Sequence, residues 1–161
     1  MVMKGIMQLN DQGFEMSGLA LRAVANELAM DNVEVLPSKS VFTLSPVYKI
    51  SQVVKQQNID VLHCHLFRAQ LTGWLVKRFF QPHIKLIFHE HGDLLDQPQK
   101  TSWLLKIAQK RTNHIIAVCN AVKRELVEKH RFAPALVSVM HNFFAEEKVS
   151  EINNAQSAKY R

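Results

Sequence analysis

Residues 60–92 read DVLHCHLFRAQLTGWLVKRFFQPHIKLIFHEHG, with two short apolar runs that each end in a His-x-His triplet and a helical pattern between them. Because side chains alternate faces along a strand, His63 and His65 are expected to project to one side of the sheet. The same holds for His89 and His91. The carboxyl ends of parallel strands border the ligand crevice of an open α/β sheet. The sequence therefore predicts a binding crevice with a floor of four histidines.

Length, charge and cysteine content limit the class of protein. With 161 residues the chain has the size of one domain with a real core. Its formal net charge of +6 favours anionic partners. Its only cysteines, Cys64 and Cys119, argue against a disulfide framework and suit a reducing cytosol. No apolar run approaches the roughly 18 residues of a membrane span, and residues 1–10 lack the core of a secretion signal, so we expect a cytoplasmic protein.

Short apolar runs alternate with helical patterns, which is typical of βα units on a doubly wound parallel sheet of the α/β class. Strands are predicted at residues 4–9, 33–36, 61–65, 84–89, 114–119 and 137–140. Helices are predicted to start at the N-caps Ser17 and Ser45 and to cover residues 69–80, 102–111 and, after the N-cap Asn120, residues 121–130. We expect one domain over residues 1–144 and a polar tail or linker over residues 145–161.

Four segments, in this order, resemble the N-terminal half of a family 4 glycosyltransferase of the GT-B fold. They are DVLHCHLFRAQLTGWL (60–75), LIFHEHGD (86–93), HIIAVCNAVKREL (114–126) and VSVMHNFF (137–144). The resemblance covers most of residues 4–144, and four ordered motifs make it more specific than any one of them alone.

The resemblance implies a Rossmann-like domain that forms one wall of a two-domain cleft. In that family the N-terminal domain mostly holds the acceptor, and a C-terminal domain holds the donor through a Glu-x7-Glu motif. The implied reaction is a retaining, hexosyltransferase-type transfer from a nucleotide diphosphosugar to a glycan or lipid-linked acceptor, as in polysaccharide or lipopolysaccharide biosynthesis. The chain ends about where the second domain would begin. We therefore expect it to be inactive alone, and we expect no cofactor and no metal.

The resemblance also implies roles for individual residues. His91 or His89 would be catalytic by hydrogen-bonding the donor sugar, and the sequence leaves open which of the two faces the crevice, although Gly92 favours His91. The remaining implied substrate-binding residues are Gly13 beside the phosphates, His63, His65 and Arg68 on the acceptor side, Cys119 where the family has serine, and Asn142 at the crossing to the second domain. Gln12 replaces the first glycine of the family's usual Gly-Gly pair.

Each feature also has a structural interpretation. The triplet at residues 63–65 is equally consistent with hydrogen-bonded histidines at a strand end. Histidine and cysteine are zinc ligands, but the Cys-x-x-Cys and His-x-x-x-His spacings typical of zinc sites are absent. Glu90 and Asp93 are interpreted as loop carboxylates without a catalytic role.

Two helical segments place a tryptophan beside cations: Trp74 with Lys77 and Arg78, and Trp103 with Lys106, Lys110 and Arg111. Such a mixture suits peripheral contact with an anionic membrane. The alternative is that the tryptophans belong to the core and the cations to a solvated face. No motif indicates nucleic acid binding.

Two other functional classes compete with a transferase. A truncated remnant or noncatalytic binding module would keep the fold without turnover. A small nucleotide-binding regulator of flavodoxin-like type would need a phosphate loop, which the sequence lacks. Because a two-domain cleft without one wall exposes apolar surface, we also expect some self-association.

Overall fold

The computed structural model describes residues 13, 15–21, 33–36, 44–92, 107–108 and 110–141. Within them the chain forms, in order, β1 (Gly18–Ala20), β2 (Val33–Val35), α1 (Leu44–Gln56), β3 (Val61–His65), α2 (Leu66–Phe79), β4 (Lys85–Glu90), β5 (His114–Ala117), α3 (Asn120–Glu128), a 3₁₀ turn (Pro134–Leu136) and β6 (Val137–Val139).

The described strands form two parallel sheets. β1 pairs with β2, and the larger sheet has the order β3-β4-β5-β6. In the larger sheet Leu62 pairs with Leu86 and His65 with His89. Of the described helices, α2 and α3 pack against the core side of this sheet. The opposite face is the one to which the strand-end histidines project.

The core lies on the helix-covered face of the larger sheet. Cys64, Leu86, Phe88, Ile115, Ala117 and Val137 alternate inward from its strands and meet Val122 and Leu126 of α3. Gly73 brings α2 so close to β3 and β4 that an added Cβ would lie 2.5 Å from Cys64 Sγ. The glycine is thus needed for the close approach of helix and sheet.

A second apolar cluster joins α1 to α2. Ile50 and Val54 of α1 are buried with Leu36, Val76 and Ile84. Pro46 fits the first turn of α1 because a backbone N–H at that position would have no acceptor within the helix, so its absence in proline costs no hydrogen bond. The cluster confirms the predicted inward face of this helix, except that Val53 is only half-buried.

Several predicted elements are confirmed with small shifts at their ends. Strand 61–65 is confirmed as predicted, whereas β4 ends one residue later than predicted. α2 begins at Leu66, three residues before the predicted start, and Cys119 rather than Asn120 is the N-cap of α3. The predicted strand at residues 4–9 and most of the predicted helix at residues 102–111 lie outside the described residues.

The prediction of a helix opening at Ser17 is wrong at its start. Residues 18–20 form β1 instead, which pairs in parallel with β2 through Gly18 and Val33. Leu19 packs against the α1 cluster, so pairing and burial together outweigh the helical spacing of Leu19, Val24 and Leu28. Val24 and Leu28 lie outside the described residues.

The structure supports the core interpretation for Trp74, whereas Lys77 lies on neither a membrane-binding nor a solvated face. Trp74 is half-buried and packs against the core, and Lys77 is buried. Lys77 Nζ donates to Asn113 Oδ1 at 2.5 Å, and the same oxygen accepts from the Leu86 N–H at 2.9 Å. A long aliphatic stem lets lysine lie along apolar surface while its ammonium reaches a partner. Trp103 and Lys106 lie outside the described residues, whereas Lys110 and Arg111 are exposed.

Candidate active site

Four histidines meet at the carboxyl ends of β3 and β4. The register that pairs His65 with His89 places the two strand ends side by side. The ring centroids of neighbouring histidines lie between 4.5 and 5.4 Å apart. This confirms that His63 and His65 share a face with His89 and His91. We refer to these four residues as the histidine cluster.

The backbone turns sharply directly after each His-x-His triplet. Leu66 has φ 65° and Gly92 has φ 103°. Glycine adopts this left-handed region without cost, but in leucine it is strained. Backbone strain of this kind concentrates at functional sites. At Leu66 it lets α2 start directly after His65, so the helix N-terminus lies next to the histidine cluster.

Burial differs among the four histidines. His89 is 1% exposed, whereas His63, His65 and His91 are half-buried. Nδ1 of His65 and Nε2 of His91 share a hydrogen bond of 3.1 Å, whose direction depends on the ring tautomers. His91 is therefore the more accessible of the two candidate catalytic histidines.

The rings of the cluster resist protonation. Burial, and to a lesser extent repulsion by the neighbouring histidines His63, His89 and His91, together lower the pKa of His65 to about 3. Burial, together with His91 and His63, lowers the pKa of His89 to about 4. Burial and His91 also lower the pKa of His63. These three rings are therefore neutral at pH 7, and each has one nitrogen lone pair available.

Several nitrogens of the cluster lack hydrogen-bond partners among the described residues. They are Nε2 of His63, Nε2 of His65 and both ring nitrogens of His89, and all are buried. Buried polar atoms are normally satisfied, so each such exception requires an explanation. Four in one cluster indicate a site for a ligand that supplies the missing interactions.

The structure describes three of the four other predicted site residues. Arg68 is half-buried in the first turn of α2, and Cys119 is half-buried at the N-cap of α3. Both therefore lie at N-termini of helices that follow strands of the larger sheet. Gly13 is exposed in a turn with φ 84°, which suits glycine, and its neighbours in sequence lie outside the described residues. Asn142 lies outside the described residues.

Sequence reasoning missed two residues that shape the site. One is Leu66, whose left-handed backbone conformation no local pattern indicates. The other is Gln70, which is 2% exposed and whose Nε2 donates to the carbonyl oxygen of His89 at 3.3 Å. Gln70 links α2 to the end of β4. Its signal was a glutamine on the buried side of a helix, one turn after the first His-x-His triplet.

The comparisons with known proteins agree on the fold. Residues 8–148 match the sequence pattern of the family described as Glycosyltransferase Family 4. Among solved structures, a glycosyltransferase from Rickettsia africae ESF-5 is similar with a TM-score of 0.67 and 17% sequence identity. The match covers 93% of this chain and 43% of that protein, so the chain spans less than half the length of its structural relative. The search of curated proteins gave no match.

Fold and site together define an α/β domain with a parallel, Rossmann-like sheet and a histidine-lined carboxyl edge. It corresponds to the N-terminal part of a GT-B protein. The chain belongs to glycosyltransferase family 4, since the family pattern covers nearly all of it. Sugar transfer is thus the general activity of its class.

Proposed function

We propose that the chain is the acceptor-side half of a retaining glycosyltransferase of the hexosyltransferase type. The donor is a nucleotide diphosphosugar and the acceptor a glycan or lipid-linked precursor, as in polysaccharide or lipopolysaccharide synthesis. The observation that carries the proposal is His91, half-buried beyond the end of β4 and hydrogen-bonded to His65 at 3.1 Å in a family 4 chain. The proposed sugar transfer requires no metal or cofactor.

His91 is suited to bind a sugar hydroxyl. Its hydrogen bond to His65 fixes the ring, and a ring that is already oriented loses little entropy when substrate binds. His89 is too deeply buried for direct contact and serves instead to position its neighbours. His63, His65 and Arg68 would line the acceptor side, while Gly13, Cys119 and Asn142 remain predictions for substrate contacts.

The N-terminus of α2 supports an anionic substrate at this edge. Its N-cap, His65, makes no side-chain hydrogen bond to the first turn. The first N–H groups of a helix and its dipole together favour phosphate. A diphosphate bound near the histidine cluster would satisfy these donors.

The expected result for activity is that the isolated chain transfers no sugar, whereas a fusion to a family 4 donor-binding domain does. Transition-state stabilisation requires both walls of the cleft. Transfer would be measured with radiolabelled nucleotide sugars, and donor binding by calorimetry. The matched control is the donor-binding domain alone. Micromolar donor affinity of the isolated chain would contradict the proposed division of labour.

The alternative is a binding module or remnant without turnover. It keeps the same fold and histidine cluster, so the fusion decides between the two. A folded fusion that binds donor and acceptor but transfers nothing, with every nucleotide sugar tested, would favour the alternative.

A second part of the proposal is peripheral contact with an anionic membrane on the cytoplasmic side. Among the described helices, none has the length and apolar character of a transmembrane span. At the end of α2, however, Phe79 is 63% exposed and Phe80 45% exposed. The Arg78 guanidinium lies 5.0 Å from the centre of the Phe79 ring, and Tyr48 of α1 packs edge-on against Phe80. Exposed aromatics beside a cation suit a lipid headgroup region. Self-association stays a prediction.

We expect the chain to bind vesicles that contain phosphatidylglycerol and not vesicles of phosphatidylcholine alone, as measured by co-sedimentation. Replacing Phe79 and Phe80 by serine should remove most of the binding, because their apolar area no longer enters the interface. The matched control is Val61→Ser, which alters an exposed apolar residue of β3. Equal loss in both variants would contradict a specific membrane-binding surface.

A further inference from the structure

Three histidines of the cluster present nitrogens that lie close together. Among His63, His65 and His89, one ring nitrogen from each lies within 4.8 Å of the other two. The buried nitrogens without described partners belong to the same three residues. Ring nitrogens that lie this close together can bind one metal ion.

We propose that His63, His65 and His89 form a zinc-binding site with an open fourth coordination position. Neutral imidazole is a preferred ligand of Zn²⁺, and three histidines with one open position are a known donor set for zinc. His63 and His65 are half-buried with buried Nε2 atoms, and His89 is buried, so the protein encloses the nitrogens that would bind the metal. The proposal does not depend on sugar transfer, since metal binding alone tests it.

His91 supports the site without binding the metal. A histidine that ligates zinc through one nitrogen usually donates its other N–H to a partner that fixes the ring. Nδ1 of His65 has this arrangement, at 3.1 Å from Nε2 of His91. When His65 binds zinc through Nε2, its Nδ1–H donates to His91. The geometry therefore distinguishes three ligands from one positioning residue.

Binding requires a modest contraction of the site. Zn–N bonds of about 2.0–2.1 Å in a tetrahedron place the nitrogens about 3.3 Å apart. The present separations of up to 4.8 Å must shrink by rotation of the rings. His63 and His89 are now stacked, with an angle of 3° between their planes, so these two rings must tilt towards each other. The pairing of His65 with His89 already places the two strand ends side by side.

The spacing of residues along the chain gave no zinc motif because the ligands come from two strands. Residues 63 and 65 share a face through the two-residue period of β3, and the parallel register adds residue 89. The predicted absence of a metal rested on that spacing and on the resemblance to family 4 glycosyltransferases. The geometry across the strands is an independent observation.

The test is metal binding by the chain after treatment with a chelator. Zinc is titrated in competition with a chromophoric chelator, and cobalt(II) serves as a spectroscopic probe. We expect one zinc per chain, intense visible absorption typical of tetrahedral cobalt, and a melting temperature that rises with zinc concentration. Weak binding at several sites, or only octahedral cobalt spectra, would overturn the proposal whatever the variants do.

Variants then identify the ligands. His63→Ala and His89→Ala should each weaken zinc binding more than His91→Ala, for which we expect a loss of about 10- to 100-fold. The matched control is His83→Ala, an exposed histidine outside the cluster, which should bind as the unmodified chain does. Circular dichroism without metal checks the fold. If the His89→Ala variant does not fold, His63→Asn, a change at a half-buried position, is measured instead. An unchanged affinity of His63→Asn for zinc would reject the site.

Discussion

Replacing His91 by alanine in a two-domain fusion is expected to lower the rate of sugar transfer by about 100-fold or more, because a fixed hydrogen-bond donor at the reacting sugar is lost. The melting temperature should change little. His91 is half-buried, and its side chain lies beyond the end of β4, so its removal leaves no large cavity. Initial rates at saturating donor and acceptor, with melting curves of the same preparations, provide the measurement.

His89→Ala is the matched control, because it lies on the same strand face but is 1% exposed. Removing this ring leaves a cavity among the other rings, and we expect a loss of about 1–3 kcal/mol of stability. Equal, purely thermal losses in the two variants would reject the active-site assignment of His91. A large loss of transfer in His91→Ala alone would support it.

Local patterns were sufficient where neighbouring residues determine the structure. In residues 61–65 apolar residues are followed by alternating polar ones, which predicts a short strand. The structure confirms this strand with the same first and last residues. The shared face of the histidines followed from the two-residue period of a strand. Their contact across β3 and β4 followed from the rule that parallel strand ends meet at one edge. Family and fold were likewise predictable, since four ordered motifs specified them.

Features that depend on distant contacts were not predictable. Leu19 and its neighbours form a strand because β2 pairs with them, which a helical spacing cannot show. Lys77 was expected in solvent, yet Asn113, which is far away in sequence, supplies its partner. The left-handed conformation of Leu66 likewise arises from the tight passage from β3 into α2. In each case tertiary structure overrides local preference.

Gly73→Val is expected to be among the most destabilising single changes in the described core. A Cβ at this position would lie 2.5 Å from Cys64 Sγ, 3.1 Å from Leu86 Cδ1 and 3.2 Å from Leu62 Cδ2. Valine adds two further methyl groups to that space. Although glycine is about 1 kcal/mol less favourable than alanine within a helix, overpacking by one to three carbons costs about 1–3 kcal/mol or more. We expect a net loss of about 3 kcal/mol, or a melting temperature lower by about 6–12 °C.

The contact with Cys64 allows a direct test of this cause. Cys64→Ala removes the sulfur nearest to the new side chain, so the pair of Gly73→Ala and Cys64→Ala should be more stable than the sum of the single changes predicts. A coupling of about 0.5–3 kcal/mol, measured by denaturant unfolding of all four proteins, is typical of residues in contact. Arg124→Val, at an exposed position of α3, gives the cost of a β-branched residue in a helix without overpacking. Two results would contradict this cause: a loss of stability in Gly73→Val no larger than in Arg124→Val, or additive effects of the two alanine changes. Either result would mean that the close packing of α2 on the sheet does not depend on the absence of a side chain at Gly73.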